Sequence, residues 1–226
     1  MRLPAHLVAC LIIGSGCVQA QSLPPNYKTT FENSDIIVMR VHYGPHEFVP
    51  MHDHSAYPTV YVYLNDSGVV DLTHEGPNGV TVHRPPTHTG AFRISPGMAE
   101  RHSVTNQGDV PSDFLRVELK RIPSDDLKEV FRGEAQAELA TPGTKIEFQD
   151  AALKIERIQC PATEPCTLPA SMQRSLLVSI GTTKVQVSGS ERTLVSGDTI
   201  WLPANEKGSV RLSPGAQCLH VLLQYP

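Results

Sequence analysis

The chain has 226 residues, of which 40% are hydrophobic and 19% are charged, and its formal net charge is −4. This length provides one large domain or two domains of about 100 residues each, and the apolar content excludes a collagen-like or disordered chain. Because the basic residues are scattered and the balance is acidic, the composition also disfavours nucleic acid as a partner.

The first twenty residues have the layout of a secretory signal peptide. Arg2 supplies a positive charge, residues 7–13 are apolar, and Val18 and Ala20 are small residues where a signal peptidase reads the chain. We therefore expect cleavage after Ala20 and a periplasmic or secreted protein. A lipoprotein modified at Cys17 is the alternative, and no later segment has the length or hydrophobicity of a membrane span.

Three cysteines remain after the signal peptide. Cys160 and Cys166 are separated by five residues, and in an oxidising compartment this spacing predicts a disulfide bond. Two free thiols in a surface loop are the alternative. Cys218 lies in an apolar run, which favours a buried thiol.

Short runs of β-favouring residues follow one another, separated by turn signals, and strands at this spacing indicate an all-β sandwich or barrel. In the first half the predicted strands are 35–43, 59–64, 68–73, 91–95, 101–105 and 114–120. Residues 123–140 are charged and contain alanines, with Ser124 as a helix cap, and they predict a short helix and a linker that ends near Pro142.

A second set of β-type runs follows the linker. Its predicted strands are 152–158, 176–180, 184–187, 199–202 and 217–223. The segment from Gly90 to Pro96 is echoed by the segment from Gly197 to Pro203, with glycine and proline at the same separation. Two halves of similar size with the same turn favour a duplicated β domain.

Histidines are concentrated in the first half, where eight of the ten lie between His42 and His102. His52 and His54 are at i and i+2, so on a strand both rings point to one face and can converge on one ion. Neutral imidazole is a common ligand of divalent transition metals. His-x-His alone is a weak signal, and the pattern around His102 strengthens it.

These residues resemble the two motifs of the cupin superfamily. The first motif is matched by Gly44, His52, His54 and Gly68, and the second by Gly90, Pro96, Gly97, His102 and Asn106. Small exported bacterial cupins with two barrels are the most similar group. The resemblance implies two jelly-roll barrels joined by the short helical linker, the first binding a metal and the second degenerate. The implied divisions are a signal peptide at 1–20, an extension at 21–34, a metal-binding domain at 35–122, a linker at 123–141 and a degenerate domain at 142–226.

Carried over residue by residue, the resemblance assigns the metal to His52, His54 and His102. The position of the family's glutamate ligand holds Pro58 or Thr59, so the implied ligands are all neutral. Such a site keeps the full charge of a divalent ion and favours an anionic substrate or a deprotonated water. Fe²⁺ is the first candidate, and Zn²⁺, Mn²⁺, Ni²⁺ and Cu²⁺ suit the same ligands.

Several other residues are candidates for the site. Glu100 is two residues before His102 and would share its face as a fourth ligand or as a partner that orients an imidazole, with a solvated turn residue as the alternative. His46, Tyr57 and Thr59 are candidates for lining the pocket. His74 lies in a polar segment that favours a surface loop.

Three functions stay open at this point. The first is a metal-dependent enzyme of the oxygenase type on an unknown small molecule, with an isomerase or hydrolytic reaction as variants. The second is a binding protein that captures a metal or a small ligand without turnover, and the third is a metal-free structural protein. The expected partner is a small-molecule ligand or substrate, and a homodimer is one expected oligomeric state.

Overall fold

Every regular element in the described part of the chain is a β-strand. The structure, a computed structural model, describes residues 23–76, 79–124, 126–127, 130–133, 141–168, 171–205 and 208–225. The predicted signal peptide and Cys17 lie outside these residues. The all-β prediction is confirmed, and among the described residues no helix is long and apolar enough to cross a membrane.

Within the described residues, ten strands form the first half and nine form the second. The first ten are β1 (Tyr27–Glu32), β2 (Ile36–Tyr43), β3 (Phe48–His54), β4 (Thr59–Tyr63), β5 (Val70–His74), β6 (Thr81–Arg84), β7 (Phe92–Ser95), β8 (Glu100–Asn106), β9 (Ser112–Leu119) and β10 (Phe131–Gly133). The others are β11 (Gly143–Gln149), β12 (Leu153–Gln159), β13 (Cys166–Leu168), β14 (Arg174–Ser179), β15 (Thr183–Val187), β16 (Ser190–Leu194), β17 (Thr199–Leu202), β18 (Val210–Leu212) and β19 (Gln217–Leu223).

The two halves share one topology. The first half has sheets of order β1-β2-β9-β4-β7-β10 and β3-β8-β5-β6, and the second has sheets of order β11-β12-β19-β14-β17 and β13-β18-β15-β16. Apart from β10, each strand of the first half has a counterpart in the second half with the same neighbours, so that β1 corresponds to β11, β2 to β12 and so on to β9 and β19. Each half is therefore a jelly-roll barrel of two antiparallel sheets.

The glycine of the repeated turn has the same conformation in both barrels. Gly90 has a φ of 80° and Gly197 a φ of 85°, in the region where a side chain is strained. Its N–H donates to the preceding central strand in each case, to the carbonyl of Tyr63 at 2.8 Å and to that of Ser179 at 2.9 Å. The sequence echo thus marks equivalent entries into β7 and β17.

The barrels pack against each other through the outer faces of their larger sheets. Alternate residues of β2, β4, β7 and β9 share one hydrophobic cluster with residues of β12, β14 and β19, as expected for sheets with period-two alternation. At the edge of this core, the rings of Phe31 and Trp201 stack at 6.2 Å, and Arg174 donates to Asp35 at 2.7 Å.

The barrel interiors differ in chemistry. Inside the second barrel, Leu177, Val185, Leu212 and Cys218 belong to an apolar cluster. His220 is buried there but has partners, since it bonds to Ser175 Oγ at 2.9 Å and to Glu156 at 3.3 Å. The interior of the first barrel instead contains histidines, tyrosines and arginines beside its apolar residues.

The helix predicted within residues 123–140 is wrong for the part of that segment that the structure describes. Ser124 donates its hydroxyl to the Ala56 carbonyl at 3.1 Å instead of capping a helix, and Phe131–Gly133 pairs with β7. A Cβ on Gly133 would lie 2.0 Å from the Phe92 ring. Packing on β7 has overridden the local helical pattern. Residues 125, 128–129 and 134–140 lie outside the described part.

A disulfide joins Cys160, which follows β12, to Cys166, the first residue of β13. Cys218 is a free, buried cysteine, and burial raises the pKa of its thiol to about 12. The thiol of Cys218 is therefore unreactive at neutral pH.

Candidate metal centre

The three histidines of the motifs lie on two paired strands of the first barrel. His52 and His54 are on β3, and the antiparallel register of β3 with β8 places His52 opposite His102 and His54 opposite Glu100. The register shifts between Val49 and His52, so a bulge sets which residues of β3 face inward. As a result, the two residues of His-x-His and His102 project from one sheet into the barrel.

Their side chains converge on one point. His52, His54 and His102 are 1%, 7% and 2% exposed, and one nitrogen from each lies within 4.8 Å of the others. Since a metal–imidazole bond is about 2.0–2.1 Å long, three nitrogens in this arrangement surround a space suited to one ion.

Hydrogen bonding leaves several of these nitrogens without partners. Both ring nitrogens of His54 and Nδ1 of His102 are buried without a hydrogen bond. His52 Nδ1 lies 2.7 Å from the Pro50 carbonyl, which can only accept, so Nδ1 carries the proton and Nε2 keeps its lone pair. Buried polar atoms without partners cost stability, and coordination of an ion would satisfy the lone pairs of His54 and His102.

Burial also keeps these imidazoles neutral. It lowers the pKa of His52 and of His54, and it lowers the pKa of His102 to about 3. The mutual proximity of the rings lowers the pKa values of His54 and His102 further. Neutral imidazole is the form that binds metals, so the cluster has the protonation state of a ligand set. The residues present therefore fit a divalent transition metal.

Tyr27, which lies in the segment predicted to be an N-terminal extension, covers this cluster. Its hydroxyl donates to His52 Nε2 at 3.0 Å, and its ring centroid lies 5.1 Å from that of His52 and 5.0 Å from that of His54. Tyr43 donates to the Tyr27 hydroxyl, and burial raises the pKa of both phenols well above their usual range. The alternation of Tyr27–Glu32 was a weak strand signal, and no motif pointed to Tyr27.

His74 extends the row of histidines. It is on β5 opposite His102, with ring centroids 5.4 Å apart, and not in the surface loop that was predicted. The sheet order β3-β8-β5 therefore aligns His52, His102 and His74 across three neighbouring strands.

The remaining candidates are distributed around the barrel. Glu100 lines the pocket beside the cluster, but its carboxylate is 3.8 Å from His102 Nδ1, beyond hydrogen-bond distance. His46 is in an exposed loop and bonds to Asp109 at 2.9 Å. Thr59 is buried, its hydroxyl donates to the carbonyl of Tyr57, and neither residue lines the pocket.

Asn106, the last residue of the second motif, has a structural role. It is fully buried, and its amide donates to the carbonyls of Gly44 at 2.8 Å and Val110 at 2.9 Å. Its own oxygen accepts from the Gly108 N–H at 3.0 Å. Asn106 thus fixes the loops at the end of β8, the strand that carries His102.

The cluster opens onto a pocket inside the barrel with a cavity volume of about 50 Å³. His54, His102 and Tyr27 line one part of it. The other lining residues include aromatic side chains and three arginines, namely Tyr43, Tyr61, Tyr63, Phe114, Arg84, Arg93 and Arg116. None of these was predicted to line the pocket, because their convergence depends on pairing between strands that are distant in the chain.

The second barrel lacks this site in the described residues. Its β13 pairs with β18 through Leu168 and Val210, where β3 pairs with β8 through His52 and His102. Both Leu168 and Val210 belong to the apolar cluster of that barrel. The duplicated topology therefore carries ligand-type residues in one barrel and apolar packing in the other.

Solved structures show the fold. The chain matches AerE from Microcystis aeruginosa (14% identity, TM-score 0.62, 90% of this chain and 95% of that chain). It also matches YlbA from Escherichia coli (10% identity, TM-score 0.62, 89% of this chain and 86% of that chain). A third match is salicylate 1,2-dioxygenase from Pseudoaminobacter salicylatoxidans (11% identity, TM-score 0.57, 84% of this chain and 68% of that chain). No protein-family model and no curated protein sequence matches the chain. These neighbours are cupin proteins, so the chain has the cupin fold.

Proposed function

We propose that this chain is an exported cupin whose first barrel binds a divalent transition metal and acts as a metal-dependent enzyme on a small molecule. An oxygenase reaction is the first candidate, with Fe²⁺ as the metal. Three imidazoles on one side of an ion leave positions for a substrate and for O₂. The likeness to a salicylate 1,2-dioxygenase is one of fold, and it supports the oxygenase class without identifying a substrate.

The observation that carries the proposal is the state of His54. Its imidazole is buried, has no hydrogen-bond partner at either nitrogen, and lies with His52 and His102 at metal-binding spacing beside a pocket. A purely structural histidine would have partners, as His220 has in the second barrel. The contrast between these two buried histidines favours a ligand role for His54.

The protein's own groups have distinct parts in this chemistry. The bound metal would supply a Lewis-acidic centre with open positions for substrate and O₂. His52, His54 and His102 would hold it, with the Pro50 carbonyl fixing the His52 tautomer. The protonated Tyr27 hydroxyl can donate a hydrogen bond at the cluster.

Export is the second part of the proposal. The N-terminal sequence supports it, and the Cys160–Cys166 disulfide is consistent with an oxidising compartment. Whether the chain is cut after Ala20 or lipidated at Cys17 is tested by the intact mass of the protein from membrane and soluble fractions.

A binding protein without turnover is the second candidate. Tyr27 favours it, because a phenol bonded to His52 Nε2 covers one approach to the cluster. A metal that retained Tyr27 nearby would have fewer exchangeable positions. The number of exchangeable positions on the metal therefore separates the two functions.

That number can be measured with nitric oxide. We expect mature protein loaded anaerobically with Fe²⁺ to bind nitric oxide and to give the electron paramagnetic resonance signal of an iron–nitrosyl complex. A variant with alanine at His52, His54 and His102 should lose the signal. A matched control with alanine at three exposed histidines, His42, His83 and His88, should keep it. Iron that binds but never accepts nitric oxide would exclude the oxygenase and leave the binding protein.

A further inference from the structure

The pocket contains a buried arginine, Arg93, that no carboxylate of the described residues pairs. Among the described residues three arginines are buried, Arg93, Arg116 and Arg157. Arg116 donates to Glu118 at 2.9 Å and Arg157 to Glu147 at 2.8 Å. Arg93 has no carboxylate within ion-pair distance in the described part of the chain, and its Nε is buried without a hydrogen-bond partner.

Arg93 is held in place by Tyr61. The two residues are opposite each other on β7 and β4, and the guanidinium lies over the Tyr61 ring, 4.1 Å from its centroid. A cation over an aromatic face is stabilised, but this contact leaves the N–H donors in the guanidinium plane without acceptors. Arginine stays charged in proteins, so a buried guanidinium without an anion carries a desolvation cost.

Arg84, the last residue of β6, adds a second cation to the same pocket. It is half-buried, and the burial and then the positive charge of Arg93 lower its pKa. Glu100 is the one carboxylate among the residues that line the pocket, and it forms no ion pair with Arg84 or Arg93. Two neighbouring cations that no carboxylate pairs at salt-bridge distance, with Glu100 attracting Arg84 only over a longer distance, form a site for an anion.

The walls of the pocket indicate what kind of anion fits. Tyr61, Tyr63 and Phe114 line it together with Val70 and Leu72, so much of the lining is aromatic or aliphatic. Guanidinium groups bind carboxylates through paired hydrogen bonds, and apolar walls favour a ligand with a carbon skeleton. A small inorganic anion would leave these walls in contact with water.

We propose that the ligand of this pocket is a small organic carboxylate whose carboxylate group binds Arg84 and Arg93 while its carbon skeleton lies between the aromatic walls and the three-histidine cluster. This deepens and rests on the proposed function, since the cluster forms the other part of the same pocket. The arginines select the charged group, and the metal would act on the part of the molecule that reaches His54 and His102.

The test is calorimetric binding of small acids and their neutral amides to the mature chain after treatment with EDTA. The probes are benzoate with benzamide and butyrate with butyramide, and inorganic phosphate is a separate probe. We expect at least one acid to bind at least tenfold more tightly than its amide and more tightly than phosphate. Arg84→Gln and Arg93→Gln should each weaken that acid at least tenfold, whereas Arg192→Gln, an exposed arginine of the second barrel, should have no effect.

Circular dichroism establishes whether each variant is folded, and if Arg93→Gln does not fold, the half-exposed Arg84 decides the outcome. Acids that bind no better than their amides, or acids that bind equally well to a folded Arg84→Gln variant, would overturn the proposal. Phosphate binding as tight as that of both acids would refute an organic ligand. The assay is done without metal, so it tests the carboxylate site separately from the metal centre. If the protein prefers acids through its arginines but binds no metal, the proposed function is refuted and the carboxylate site is not.

Discussion

Acidification should destabilise the metal-free protein through the buried histidines of the cluster. Burial lowers the pKa of His54 far below its usual value, and it lowers the pKa of His102 to about 3. In the unfolded chain both imidazoles have the ordinary pKa of about 6.5. Between these values the unfolded state binds protons that the folded state does not. The contribution of these two neutral imidazoles to the free energy of unfolding is therefore fully present above about pH 6.5 and is lost as the pH falls below that value.

The size of this effect follows from proton linkage. A group with an unfolded pKa of about 6.5 that stays neutral in the folded state contributes a loss of about 1.4 kcal/mol between pH 7.5 and pH 5.5. His54 and His102 together therefore contribute about 2.7 kcal/mol over this interval. This loss is a large part of the stability of an ordinary domain, about 5–15 kcal/mol.

Urea unfolding of EDTA-treated protein at pH 7.5 and pH 5.5 measures the loss directly. A variant with leucine at His54 and His102 is the matched control, because it keeps all the other titrating groups. We expect the wild-type protein to lose about 2–3 kcal/mol more than the leucine variant over this interval. Equal losses in the two proteins would refute the claim that the folded state keeps these imidazoles buried and neutral.

Two further predictions concern the frame around the site. Gly133→Ala should lower the free energy of unfolding by about 2–3 kcal/mol, because the added Cβ would overlap the buried ring of Phe92. The control Gly181→Ala has open space around it and should change the free energy of unfolding by less than about 1 kcal/mol. Similar denaturation curves for the two variants would contradict the packing of β10 on β7. Replacing Cys160 and Cys166 with serine should lower the free energy of unfolding by about 2 kcal/mol, the value for closing a loop this short. A reductant should produce the same loss in the wild-type protein. A wild-type unfolding midpoint that does not change with the reductant would mean that the two thiols are free.

The parts of the fold that local patterns determine could be predicted. Alternating β-branched residues and turn signals predicted an all-β chain, and the paired glycines at Gly90 and Gly197 predicted a repeated turn that both barrels contain. His-x-His predicted that His52 and His54 share a face, because the strand period is two. Each of these inferences needs only residues close together in the sequence.

Features that depend on distant strand pairing could not be predicted. Tyr27 reaches the cluster because β1 pairs with β2 at the edge of the larger sheet, and Arg93 faces the pocket because β7 pairs with β4. The helix predicted near Phe131 failed for the same reason, since its strand exists only through pairing with β7. Local charge and alanine content carry no information about such contacts.

The central claim is that His52, His54 and His102 hold a metal. It is tested most directly by elemental mass spectrometry of the mature protein, purified without an affinity tag or added metal, beside the variant with alanine at all three positions. We predict about one equivalent of a transition metal in the wild type and in the control with alanine at His42, His83 and His88, and none in the cluster variant. A wild-type protein that carries no metal and takes up none on reconstitution would contradict the account.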